Sequence, residues 1–201
     1  MKTFFQNIPV LIAAGLITLS CSKDSPPTTV ASAPAAPTYQ EENFFDGFLT
    51  ATGFSQLTTA EINESFYEYG FEFIPLLNGK ITSLRIKLPD PNNALRVTIW
   101  DMNGAILKTS IVNVPTINTV TTIDIADLDL IKNKKYCITM NSNDYYVHKK
   151  TDGTGIVYPV TVGNIKVLSN KYIAGATQTY PTDEPPTYCN GDLSFNFLRT
   201  E

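Results

Sequence analysis

The sequence predicts an all-β protein: an antiparallel two-sheet β-sandwich of the jelly-roll kind, carried on a tether behind an export signal. Three observations predict it. Hydrophobic residues after position 60 recur every second position, the period of a half-buried strand. Turn-forming residues punctuate these runs at short intervals. Signals for helix are sparse.

The N-terminus sets the context. Lys2 is the only charge before Cys21, and Ile8 to Leu19 is apolar apart from Pro9, Gly15 and Thr18. A stable membrane-spanning helix needs roughly 20 apolar residues, and this run is shorter. It fits the apolar part of a secretory signal, typically about 7–15 residues. Small Ser20 precedes Cys21, and Ser22, Lys23 and Asp24 follow at once. The pattern resembles a bacterial lipoprotein signal, cleaved before a cysteine that is then acylated. The usual box has leucine three places before the cysteine, whereas Leu19 stands two before it. The alternative is an ordinary secretory signal beside a free cysteine. The resemblance implies several acyl chains on Cys21, and two or more chains are what stable anchoring takes. Residues 1–20 are therefore expected to be signal. The protein is expected in the cell envelope, held by lipid in the outer membrane. The Lys23-Asp24 pair resembles the charged tag of lipoproteins displayed on the cell surface.

Residues 21–40 read as a linker. Pro26, Pro27, Pro34 and Pro37 stand among Ser, Thr and Ala, with Val30 the one bulky aliphatic between Ser22 and Thr38. Such a segment buries too little apolar area to offset the entropy of ordering. Residues 41–201 are the sandwich, one domain in size. Cleavage removes Lys2 and moves the net charge from −4 to about −5. An acidic chain without a basic cluster argues against nucleic acid as partner.

The strands follow in order. Phe44 to Phe54 is an early strand or a short helix. Thr58 and Glu61 have the spacing of a capping box, enough for one helical turn. Glu68 to Ile74 is the first core strand, with Phe71 and Phe73 inward. Leu84, Ile86 and Leu88 alternate with Ser83, Arg85 and Lys87, and Leu95, Val97 and Ile99 alternate with Arg96, Thr98 and Trp100. Asn103-Gly104 then marks a hairpin. The returning strand, Ala105 to Val114, stops at Pro115, which cannot donate to a central ladder. Thr119 to Ile125 is β-branched and reads as the next strand. Tyr136, Ile138 and Met140 give another, closed by the turn residues Asn141 to Asp144. Tyr145 to Lys149 follows, and Phe195 and Phe197 mark the last strand.

A family resemblance rests on Tyr69 to Pro75, Asn78 to Leu84, Val97 to Asp101 with Gly104, and Tyr136 to Thr139. Together these resemble a bacterial β-sandwich family of unknown function that recurs in secreted and surface proteins. The resemblance covers about residues 64–143 and implies a fold. It brings no catalytic set, and it implies a covered, structural role for Trp100.

Chemistry is sparse. His148 is the only histidine, and no nucleophile elbow or phosphate-cradling glycine loop appears. The expectation is a non-enzymatic protein without a cofactor, with glycan hydrolysis the remoter alternative. Asp124, Asp127 and Asp129 are weak candidates for calcium, as are the Asp90/Asn92/Asn93 and Asn141/Asn143/Asp144 groups, since calcium takes oxygen ligands. Turn formation explains the same residues equally well. Cys137 and Cys189 are left over in an oxidising compartment. They either pair, closing a loop of about 50 residues, or stay as separate buried thiols. The C-terminal half is rich in tyrosine. Trp100, Tyr145, Tyr146, Tyr158, Tyr172 and Tyr180 are candidates to stack on sugar rings, with Tyr188 among the same tyrosines. The competing reading is that these are strand residues with buried rings and wet hydroxyls. The expected partners are the membrane, through lipid, and a glycan or an envelope protein.

Overall fold

A computed structural model describes residues 37–185 and 187–201; Cys21, the signal and most of the linker lie outside the described residues. The compact unit begins at Thr38. Its elements are β1 (Glu42–Asn43), α1 (Phe45–Thr52), β2 (Ser55–Pro75), β3 (Gly79–Lys87), β4 (Asn92–Asp101), β5 (Ile106–Val114), β6 (Thr121–Leu130), β7 (Tyr136–Lys149), β8 (Val160–Val162), β9 (Ile165–Ala174), β10 (Tyr188–Asn190) and β11 (Asp192–Arg199).

Two antiparallel sheets face each other. The smaller has the order β1-β11-β3-β6, the larger β5-β4-β7-β2-β9-β8, with β10 added beside β7. Four pairs are nested in sequence: β4 with β5, β3 with β6, β2 with β7 and β1 with β11. That nesting is the jelly roll the sequence predicts. β8 and β9 lie between the seventh and eighth strands of the roll in sequence and extend the larger sheet past β2.

Alternation decides the core. Phe71, Phe73, Leu84, Ile86, Leu95, Val97, Ile99, Ile138, Met140, Phe195 and Phe197 are buried between the sheets. Phe195 lies against Phe44, Phe71 and Phe73 in tilted or stacked pairs, each worth about 0.5–1.5 kcal/mol beyond area burial. Each strand that buries one face in this way is locked in register, because a one-residue slip would expose the whole apolar set.

Of the two readings for Phe44 to Phe54, the helix is correct. Phe45 and Phe48, one turn apart, turn inward from α1. Asn43 Oδ1 accepts from the Phe45 amide at its start. Gly53 ends it at φ 72°, the left-handed cap that glycine adopts without a Cβ penalty.

Two local expectations are overturned. The capping-box segment Thr58–Glu61 is strand, part of the 21-residue β2. Its backbone pairs with β7, and a long ladder outweighs a one-turn helix signal. Asn141 to Asp144 does not close a strand either, since β7 runs through it. The polar side chains there are satisfied in place. Asn141 Nδ2 donates to Gly175 O at 2.9 Å, Ser142 donates to Asp144, and the Asp90 amide donates to Asp144 Oδ2 at 3.1 Å.

Candidate functional site

The outer face of the larger sheet is where Trp100 stands, and it is closed. Residues 175–185 cross it as a strap. Arg96 Nη2 donates to Ala176 O at 2.9 Å, and Gln178 Nε2 donates to the hydroxyls of Thr98 (2.9 Å) and Thr109 (2.7 Å). Tyr180 meets the Trp100 ring edge-on at 5.8 Å. Trp100 Nε1 donates to Thr139 Oγ1 at 3.0 Å, and Thr139 donates to Glu68 at 2.8 Å. Trp100, 2% exposed, has the covered role that the resemblance implies. Trp100 offers no free ring to a ligand, and the half-buried Tyr180 is held by the Trp100 ring and by its hydrogen bond to Glu72.

Charge under the strap is paired. Arg96 forms an ion pair with the fully buried Glu68. Burial pushes the Glu68 carboxyl up, against the pull of Arg96 and Thr139. Burial also acts on Glu72, but hydrogen bonds from Tyr180 and Lys135 and the charge of Lys171 outweigh it and hold that carboxyl below its ordinary value.

His148 is buried at the opposite side, where Nε2 contacts Asp192 and the ring meets Phe45 edge-on. Lys87 Nζ lies 2.6 Å from the other Asp192 oxygen. The remaining nitrogen, Nδ1, has no hydrogen-bond partner, so no hydroxyl is poised for proton transfer to it. The one hydroxyl lining the adjacent pocket of about 80 Å3, Ser194, is engaged with Asn43 instead. The cluster lacks the nucleophile–base bond that acyl transfer needs.

Two further cavities are linked through a hydrogen bond between their linings. The first is an open groove of about 280 Å3, lined by Tyr145, Val147 and Lys149 of β7 and by Tyr188 and Asn190 of β10. The Lys149 amine lies 5.5 Å from the centre of the Tyr188 ring. Burial first, and then the hydrogen-bonded side chain of Tyr172, push the Tyr188 phenol up. Asn190 Oδ1 is buried without a partner. The second is a pocket of about 190 Å3 beside β9, lined by Ile156, Tyr158, Ser169, Asn170, Glu184 and Pro185. Asn170 of the second donates from Nδ2 to the backbone oxygen of Tyr188 of the first at 3.2 Å.

The tyrosine candidates thus divide. Tyr145 lines the groove, Tyr172 backs it through Tyr188, and Tyr158 lines the pocket with its ring stacked on Phe48 at 6.5 Å. Tyr146 is elsewhere, buried beneath the Lys87 amine at 5.0 Å from its ring centre. Lys149, Ser169, Asn170 and Asn190 escape the sequence reading. One signal for them was present: Ser169-Asn170 breaks an otherwise apolar alternation in β9.

The cysteines are separate thiols, which corrects the pairing option. Cys137 stands opposite Trp100 and Glu72, and Cys189 opposite His148, eleven residues farther along β7. At about 3.3 Å per residue that is roughly 36 Å of strand, well beyond bonding reach. Both are buried and free, and burial pushes both thiols up. The acidic candidates do not converge. Asp124, Asp127 and Asp129 lie exposed along β6, with Asp127 paired to Lys80. Asn92 Oδ1 accepts from the Ala94 amide, a turn role. Among the described residues no group of three His, Cys, Asp or Glu is placed to hold a metal ion, and no helix is long and apolar enough to cross a membrane.

No protein-family model matches the chain, and no curated protein matches it.

Proposed function

We propose that this is a lipid-anchored envelope protein whose jelly roll is a non-catalytic glycan-binding module. The observation that carries the reading is the groove that sets Tyr145 and Tyr188 beside Lys149 and Asn190. A sugar ring presents C–H faces and hydroxyls together. Tyrosine rings suit the first, while an amide and an ammonium serve the second as acceptor and donors. The His148 cluster, without a bonded nucleophile, favours binding over turnover. The apolar run from Ile8 to Leu19, with Ser20 and Cys21 directly after it, supports the anchor.

The test is a glycan array probed with the mature chain extracted in detergent. Retention of a defined glycan class is expected. Tyr145→Ala and Tyr188→Ala are expected to weaken it several-fold each, since a ring contact is worth about 1 kcal/mol. An array without binders, or an affinity indifferent to both substitutions, defeats the glycan reading. The anchor is tested by intact mass: the membrane-extracted chain is expected to start at Cys21 and carry acyl chains. A chain starting elsewhere defeats that part.

A second reading, a component of an envelope assembly, draws on one observation. Met102, Ile106, Leu107, Ile111, Ile117, Val120 and Ile131 are all exposed, on or beside β5 and β6, the terminal strands of their sheets at one side of the sandwich. Concentrated exposed apolar residues mark interaction surfaces. A stoichiometric protein partner that co-purifies from membranes, and is lost in Ile111→Lys, is the result that favours it.

A further inference from the structure

We propose that the pocket beside β9 is a second carbohydrate subsite, which takes one uncharged sugar ring at the end of the glycan lying in the tyrosine groove. The proposal rests on the glycan reading of the groove and assigns to its neighbour a separate recognition task.

Three side-chain polar atoms of the pocket are buried without a partner. Tyr158 OH, Ser169 Oγ and Asn170 Oδ1 are buried without a hydrogen bond, and with Asn190 Oδ1 in the groove they make up most of the buried side-chain atoms left so among the described residues. Native proteins pair nearly all such groups, so a cluster of orphans beside a cavity points to an occupant. Ser169 and Asn170 are themselves more than nine-tenths buried. The orientation of the Asn170 amide is fixed by its bond to Tyr188 O, because turning it over would set oxygen against oxygen. Oδ1 therefore accepts only. Burial pushes the Tyr158 phenol up, and the Asn170 backbone N–H, which pulls it down, offsets this only in part.

The occupant follows from this chemistry. One acceptor and two hydroxyls match a ligand of several hydroxyl groups, each able to donate and accept. Ile156, Pro185 and the flank of the Tyr158 ring give the apolar sides that a sugar's C–H face requires. The volume of about 190 Å3 is below the roughly 300–1,000 Å3 of an ordinary ligand cleft, space for one ring and not for a chain. None of the six lining residues carries positive charge, and Glu184 stands among them, already paired with Lys171. A uronate or sialate would meet a carboxylate and an amide oxygen, with the neighbouring cation, Lys171, already committed to Glu184 and Glu72. The neighbouring groove, one hydrogen bond away through Tyr188, leaves the rest of the glycan on the tyrosines.

Isotope-labelled mature chain is titrated with methyl glucoside, methyl galactoside and methyl mannoside, and separately with glucuronate, while backbone amide resonances are followed. At least one neutral glycoside at millimolar concentration is expected to shift Ser169 and Asn170, with glucuronate at least about tenfold weaker, ~1.4 kcal/mol. Ile156→Trp, which blocks the mouth and leaves the buried polar atoms alone, is expected to abolish those shifts; Ser169→Ala is expected to reduce affinity several-fold at unchanged melting temperature. The proposal is overturned if no neutral glycoside moves these resonances, if glucuronate moves them equally, or if the shifts persist in Ile156→Trp. Failure of the groove reads out differently: glycoside shifts at Ser169 and Asn170, with no longer glycan perturbing Tyr145 or Tyr188, support the pocket and overturn only the groove.

Discussion

Glu68 and Glu72 sit four positions apart on the same face of β2 and respond to pH in opposite directions. Glu68 holds its proton more firmly in the fold than in the unfolded chain. Its contribution favours the fold below the ordinary glutamate value of 4.5 and is lost as pH rises through the raised value. Glu72 is held below that value, so its contribution is present above 4.5 and lost as pH falls towards the depressed one. Glu72→Gln is therefore expected to flatten the fall in urea midpoint on acidification below 4.5, and an unchanged slope would count against the network around Tyr180 and Lys171. Removing one partner of the buried pair is harsher. Arg96→Ala leaves the Glu68 carboxylate buried and unpaired, a loss of about 3–5 kcal/mol. The Arg96→Ala/Glu68→Leu double variant is expected to recover much of it in equilibrium denaturation. Little of this was legible in the chain. Arg96 and Trp100 read correctly as facing away from Ile99, but nothing local announces that residues 175–185 will return to cover them.

Strands were the most readable elements, because alternation is a property of neighbours in sequence. Leu84, Ile86 and Leu88 go inward as their spacing requires, and the turn at Asp101 is set by its own carboxylate, which accepts from the amides of Asn103 (2.8 Å) and Ala105 (2.9 Å). What misled was chemistry whose satisfaction lies far away. Asn141 to Asp144 has turn composition, yet its partners are Asp90 and Gly175, so the strand continues. The site was illegible for the same reason: Tyr145 shares a groove with Tyr188, and Tyr158 a pocket with Asn170 and Glu184, only after β10 and the strap are in place. Close packing between strands supplies one prediction at this scale. A Cβ on Gly70 would lie 1.9 Å from the Ile138 carbonyl oxygen, and backbone in the middle of three paired strands has little room to yield. Gly70→Ala is expected to abolish cooperative unfolding in calorimetry; a variant that still melts sharply would show that β2 and β7 can part there.

Taken whole, the domain is held by its core and its ladders, without a covalent staple among the described residues. Cys137 and Cys189 are buried at separate stretches of β7. A reductant is expected to leave the melting temperature unchanged, and a thiol reagent is expected to find both cysteines only after denaturation. A drop in melting temperature on reduction would refute the separation. The nested pairing has a further consequence, for the timing of folding. Each successive pair closes a longer span of chain, from the β4–β5 hairpin out to Glu42 against Phe197, and loop closure grows costlier with span. The roll is therefore expected to assemble from the hairpin outward, with its two ends joined last. A chain emerging N-terminus first would have to wait for its final strand, holding β3 unpaired on the side that β11 later covers.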